Sequence, residues 1–511
     1  MIGLMNSQHR SLAKQVEVLI GHDGRNFDDM VGVGVKSRHF EIDPDEIVGV
    51  AFGHVGTRYW VTALLRIVAD EFRLVTACGR HAKDARMRAP TLPLNHMHWL
   101  TQIFLLAVVT STLAQWWLSL RQTRNVTEHR DQVPLPFVER VSADEHRKAA
   151  DYTVARERLG RINLIVDTAI LLALTLGGGI ALFDALWRQT GLSQPWLGTT
   201  VILSIFFAQT MISLPLSIYQ TFHVEARFGF NRTTPGLFIV DLCKQFALGL
   251  LLGTPLLATI LFLMDRAGTN WWLYAFGIFT FYSVLVQWAY PAVFAQWFNK
   301  FTPLADGSLQ ARIQSLLQRC GFKTQGVFTM NGSLRSTHGN AYFTGFGRTK
   351  RVVFFDTLIE RLTPAEIEGV LAHELGHYRR HHIRNGLILS VVMSFLGFAL
   401  LGWSTARPEF FQALGVGTAS AHAALLLFLL VLAPFTFWLT PIVAWWSRRR
   451  EFEADEFAAE HASSTELATA LTKLYRDNAN TLTPDALHSA FYDSHPPALV
   501  RIAHLQQLAR T

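Results

Sequence analysis

The feature that most constrains this chain is a series of apolar stretches of membrane-spanning length, at 97–119, 162–187, 197–221, 238–264, 271–297, 384–405 and 421–446. A bilayer core takes about 20 apolar residues in an α-helix, and each stretch comes close to that. Core helices of a large soluble protein offer another reading. Against it, Trp116, Trp117, Trp187, Trp196, Trp271, Trp272, Trp445 and Trp446 stand near stretch ends, where tryptophans gather at membrane–water interfaces. Composition agrees: of 511 residues, 50% are hydrophobic and 17% charged, and the mean hydropathy is +0.22. The chain is therefore expected to be mainly α and polytopic, with about seven transmembrane helices.

The connections alternate in character. Those at 120–161, 222–237, 298–383 and 447–511 are long or charged and carry "RQTR", "EHRK", "VARERLGR", "TKR" and "SRRRE"; those near 188–196, 265–270 and 406–420 are short and poor in Lys and Arg. The positive-inside rule places the first set in the cytoplasm. The formal charge of +7 is then that of cytoplasmic loops, and with no nucleic-acid motif present no nucleic-acid partner is expected. Cys78, Cys243 and Cys320 are far apart and form no CxxC, which argues against a disulfide framework or a cysteine metal cage.

Residues 1–96 mix Gly, His, Arg and Asp with short apolar runs such as "IVGVAFG", without the pattern of a signal peptide. They are set apart as an extension of unknown role: a small domain, a disordered segment, or sequence upstream of a true start at Met97. Residues 97–297 are then a transmembrane region of five helices, and 298–511 a catalytic region that includes the last two spans.

Within 298–383, "LQARIQSLLQRCG" reads as an amphipathic helix closed by Gly321. "GVFTMNGS" and "NAYFTGFGRTKRVVFFDTLI" read as strands with a glycine-containing turn. "LTPAEIEGVLAHELGHYRRHH" opens with Thr363 as N-cap, Pro364 at the first helical position and Glu366 placed for a capping box, so "HELGH" falls on a helix.

On a helix, His373 and His377 share a face and can reach one ion. Glu374 is turned about 100° away from His373 and can hold that ion's water as a general base, the arrangement of HExxH zinc sites. His381 and His382 read as solvated residues beyond the site. A catalytic zinc needs a third protein ligand. In "SRRREFEADEFAAEHA", Glu451 is the candidate, with Asp455 accepting a hydrogen bond from a ligand histidine and Phe452 and Phe457 as packing positions. An acidic surface helix is the plainer reading of that run. The hairpin formed by 384–405 and 421–446, however, leaves the histidine side and returns to it, which delivers Glu451 close to His377. "NAYFTGF" can be an exposed strand that adds a substrate peptide by main-chain hydrogen bonds, with Asn340 and Ala341 flanking the cleft, or an ordinary edge strand.

Several segments in order resemble the type I CAAX prenyl endopeptidases, membrane-embedded metalloproteases. They are "FHVEARFGFNRTT" (222–234) followed by Asp241 and Lys244, "FNKFTPL" (298–304), "STHGNAYFTGFGRTKRVVFFDTL" (336–358), "AHELGH", "SRRREFEAD" and "SHPPALVRI" (494–502), and together they cover roughly 97–511. The resemblance implies a helical barrel enclosing a chamber, joined to a zincin-like α+β catalytic domain. It implies one Zn2+ held by His373, His377 and Glu451, with Glu374 as base, and cleavage near the C-terminus of peptide or protein substrates, lipidated ones among them. It also brings His495, by itself a turn histidine before two prolines, and Arg501 to the site. The expected location is a bacterial inner membrane, or the endoplasmic reticulum for a eukaryotic source, with the site on the cytoplasmic side. Two other functions remain open to such a chain: a quality-control protease for misfolded membrane proteins, and a transporter or channel with a non-catalytic metal site, for which the charges Asp167, Asp184, Asp241 and Lys244 in or near spans are the support.

Overall fold

The structure is a computed structural model that describes residues 98–304, 307–322, 324, 326–344 and 351–510. The extension at 1–96, Cys78 and the glycine-containing turn at 345–350 lie outside the described residues.

Seven apolar stretches become the membrane part. α1 (Trp99–Glu128) is followed by α2 (Ala143–Leu174), α3 (Gly179–Arg188), α4 (Trp196–Tyr219), α5 (Pro235–Arg266) and α6 (Trp271–Ala289). Six helices among the described residues are long and apolar enough to cross a membrane, and the bent pair α2–α3 makes a possible seventh. Their outer faces suit lipid: Leu106 is 63% exposed and Phe281 69%. The connection at 120–161 is not a loop. α1 runs on to Glu128, and α2 starts at a capping box in which Ser142 and Glu145 satisfy each other's backbone N–H groups.

The second expected span, 162–187, is broken, with 56° between α2 and α3. The cause is local. Gly178 takes a left-handed conformation (φ +77°), and Gly415 (φ +85°), from the far connection, lies directly on the Thr175 carbonyl with no room for a side chain. Three of the charges noted in the spans, Asp184, Lys244 and Asp241, have partners. Asp184 pairs with Arg188 at 2.8 Å and lies 3.0 Å from His422, while Lys244 donates to the Trp297 carbonyl.

The catalytic region holds a four-stranded sheet in the order β1-β2-β4-β3, made of β1 (Phe301–Pro303), β2 (Gly326–Met330), β3 (Ala341–Thr344) and β4 (Arg351–Phe355). β2 and β4 run parallel, the other pairs antiparallel, and β3 is an edge. β1 escaped the sequence reading because three residues ending in proline carry no alternation. α7 (Gly307–Arg319) buries Leu309, Ile313, Leu316 and Leu317, and Gly321 closes it at φ +61°. α8 (Pro364–Arg379) begins with the expected Thr363–Glu366 capping box. α9 (His382–Thr405) crosses away and α10 (Ala421–Thr436) returns, continuing through a 3-10 turn into α11 (Thr440–His461). α12 (Ser464–Asp477), α13 (Ala486–Tyr492) and α14 (Ala498–Leu508) finish the chain. Phe354, Leu371, Leu467 and Leu505 join sheet and helices in one core.

A partly buried clamp ties the sheet to the membrane helices. Arg335 donates to both carboxylate oxygens of Asp241 on α5 (2.7 and 3.0 Å), to Asn299 Oδ1 and to the Phe298 carbonyl. Breaking a buried pair leaves one charge uncompensated. Asp241→Ala is expected to lower unfolding stability by about 2–4 kcal/mol, read as a lower Tm in detergent; an unchanged Tm contradicts the clamp.

Candidate active site

α8 and α11 cross at a contact that only small residues allow. A Cβ built on Gly376 falls 2.9 Å from the Ala454 Cα and 3.0 Å from its carbonyl oxygen, and Ala454 itself is fully buried. This approach places Glu451, one turn before Ala454, against both motif histidines. His373 Nε2 lies 3.4 Å and His377 Nε2 3.3 Å from the Glu451 carboxylate, and the two Nε2 atoms are 3.2 Å apart. His373, His377 and Glu451 form a triad whose ligand atoms all lie within 4.8 Å of one another.

The triad fits a divalent cation. Two imidazole nitrogens face each other, an arrangement that a shared cation relieves. Glu451 Oε2 is buried without a hydrogen-bond partner. The rest of each ligand is already held. Asp455 Oδ1 lies 2.8 Å from His373 Nδ1, which fixes that proton and turns Nε2 towards the triad. Burial and Arg501 push the His373 pKa down, but the Asp455 and Glu451 carboxylates more than offset them and bring it to about 8.

Arg501, on α14, meets Asp455 through two N–H donors at 2.9 Å each and lies 3.3 Å from Glu451. Burial opposes its charge, and Asp455 above all keeps it protonated. These contacts suit Arg501 to steadying the carboxylates. Glu374 is mostly enclosed, and burial raises its pKa above the usual carboxylate range, with the two histidines opposing. His495 Nε2 lies 3.6 Å from Glu451, and Ser494 Oγ is 3.0 Å from its Nδ1.

Of these groups, His495 and Arg501 line a cavity of about 780 Å³, together with Tyr152, Arg156, Glu157 and Arg161 of α2 and with Gly339 and Asn340. Asn340 sits just before edge strand β3; its carbonyl accepts from Phe355 N, and Asn478 Oδ1 accepts from Gly339 N. Ala341, the first residue of β3, packs partly buried against the core below. The "FGFN" loop braces this segment: Phe230 stacks on His338 at 4.5 Å, and Tyr152 donates to Glu225.

Two residues near the site, His382 and Arg448, go beyond the sequence expectations. His382 is not solvated: its side chain is 6% exposed, and it lies 2.9 Å from His377 Nδ1 and 3.0 Å from Glu453. On one continuous helix, positions five apart differ by about 140°, but the chain breaks between α8 and α9 with His381 at φ +59°, and this swings His382 back. Arg448 donates to the carbonyls of Ser489 and Asp493, holding the turn that carries His495. Phe452 is only half buried and rests on His504, whereas Phe457 is in the core.

Comparison with known proteins agrees with this architecture. Residues 122–300 match the family model described as CAAX prenyl protease N-terminal, five membrane helices, and residues 303–509 match peptidase family M48. The CAAX prenyl protease 1 homolog of Arabidopsis thaliana is 31% identical over 387 residues, covering 72% of this chain and 89% of the relative. CAAX prenyl protease 1 of Saccharomyces cerevisiae is 34% identical over 59% of this chain and 70% of its own length. The crystal structure of S. mikatae Ste24p superposes with a TM-score of 0.73 at 29% identity, covering 82% of this chain and 100% of that one.

Two outcomes check the packing. Gly376→Ala forces α8 and α11 apart and is expected to cost about 1–3 kcal/mol and to weaken metal binding in equilibrium dialysis; normal metal content contradicts it. Asp455→Asn leaves Arg501 without its main counter-charge, so both Tm and metal content fall. With its sequence and fold matched over most of its length, the chain belongs to peptidase family M48, as a multi-pass membrane protease of the CAAX prenyl protease group.

Proposed function

We propose that this chain is a zinc-dependent metalloendopeptidase that cuts protein substrates near their C-termini, lipidated substrates among them. The observation that carries the reading is the convergence of His373, His377 and Glu451 beside Glu374, with Glu451 in turn 3.6 Å from His495 and 3.3 Å from Arg501, which line the cavity. Two imidazoles and one carboxylate are a donor set suited to zinc with an open fourth position. When bound there, zinc supplies a Lewis acid for the scissile carbonyl and makes water a nucleophile at neutral pH.

The chain's own groups do the rest. Glu374 accepts the proton of the attacking water and delivers it to the leaving amine; a carboxyl raised by burial is suited to both transfers. His495, at the cavity edge, donates to the carbonyl oxygen as charge develops there. Asp455 holds His373 in the ligating tautomer, and Arg501 neutralises the carboxylates behind it. Edge strand β3, entered through Asn340 and Ala341, pairs with an extended substrate backbone. A lipidated substrate is supported by the names of the relatives, which are CAAX prenyl proteases. The basic connections place the catalytic region on the cytoplasmic face, of a bacterial inner membrane or, in a eukaryotic source, of the endoplasmic reticulum.

The test is made on detergent-purified protein, wild type beside Glu374→Gln, with one farnesylated CAAX peptide and one unmodified peptide. Near-stoichiometric zinc in both proteins is expected, with cleavage at least about 100-fold slower in the variant. Absence of zinc, or cleavage unchanged by the substitution, would sink the reading. Chelation should abolish cleavage reversibly. Because His373 ligates only when neutral, zinc affinity should fall as pH drops below about 8, which titration calorimetry reads. Asn340→Ala should raise KM or slow turnover with zinc still bound; loss of zinc there would contradict a substrate role.

A further inference from the structure

We infer that His382 and Glu453 form a relay that orients His377, making them positioning residues of the metal centre; this rests on the zinc reading given above. Three observations carry it. His377 Nδ1 and His382 Nδ1 are 2.9 Å apart, and His382 Nε2 is 3.0 Å from Glu453 Oε2. The His382 side chain is only 6% exposed. The chain takes a left-handed turn at His381 (φ +59°), a conformation uncommon for a residue with a side chain, and that turn delivers His382 to this place.

Proton accounting then leaves one arrangement. If His377 ligates through Nε2, its proton is on Nδ1, which must donate to His382 Nδ1. His382 accepts there, so its own proton is on Nε2 and points at the Glu453 carboxylate. Every donor meets an acceptor, and the carboxylate at the end fixes both tautomers. Glu453 is kept in place by Arg449, one turn earlier on α11 at 3.5 Å. The site thereby gains symmetry of purpose. His373 is held directly by Asp455, and His377 is held by Glu453 through one intervening imidazole. Both carboxylates lie on α11, the helix that supplies Glu451, so a single helix orients all three ligands.

The test compares zinc affinity, by chelator competition, of wild type, His382→Phe, His382→Asn and His377→Ala in the full-length detergent-purified protein. Phenylalanine fills the space but accepts no proton. Asparagine places its amide oxygen near the position of the imidazole Nδ1 and keeps the acceptor. His382→Phe is expected to bind zinc about 10- to 100-fold more weakly, with His382→Asn recovering most of the loss. The apo-protein Tm is measured alongside. Wild-type affinity in His382→Phe, or an equal loss in Phe and Asn variants, overturns the relay. If His377→Ala keeps wild-type affinity, the metal assignment itself fails and the relay with it, whereas loss in His377→Ala with none in His382→Phe overturns the relay alone.

Discussion

The structure depends on the close approach of α8 to α11 at Gly376 and Ala454. Most pairs of helices stand 8–10 Å apart because side chains separate them. Here a glycine inside the histidine motif meets an alanine backbone, with under 3 Å between Ala454 Cα and the place where a Cβ would be. That contact turns two remote segments into one site, with Glu451 one turn before it and Asp455 immediately after it on α11. The membrane hairpin of α9 and α10 serves the same end, since it returns the chain to the histidine side already helical and in register.

Electrostatics explains why the approach is stable. Glu451 and Asp455 are both buried, and two carboxylates side by side in a low-dielectric interior repel each other. Arg501 offsets one of those charges through paired hydrogen bonds to Asp455 and proximity to Glu451. The remaining negative charge faces two imidazoles and attracts a cation. The side formed by His373, Glu451 and Asp455 is therefore buried and preorganised, while the cavity side is polar and lined by α2 residues. On the proposed function, metal binding and peptide binding are thus separable by mutation.

Much of this was legible in the sequence, and the limits have physical causes. Spanning stretches follow from length and apolarity alone, and the capping box at Thr363 marked the start of α8 because its hydrogen bonds are local. Glu451 was reachable because topology, a coarse property, sufficed to bring it near His377. His382 was misjudged because its position depends on a one-residue left-handed turn at His381, which helical periodicity does not encode. The break after α2 was hidden in a similar way: three glycines permit it, but Gly415, from more than 200 residues later, packs against it. Arg448 and the short strand β1 have partners distant in sequence and no pattern of their own.

The most direct test of the account is X-ray absorption spectroscopy of the zinc-loaded Glu374→Gln protein. Two imidazoles and a carboxylate oxygen at about 2.0–2.2 Å, with no sulfur, are predicted. Scattering from three or more imidazoles, or a sulfur ligand, would contradict the claim that α8 and α11 together form the metal centre through His373, His377 and Glu451.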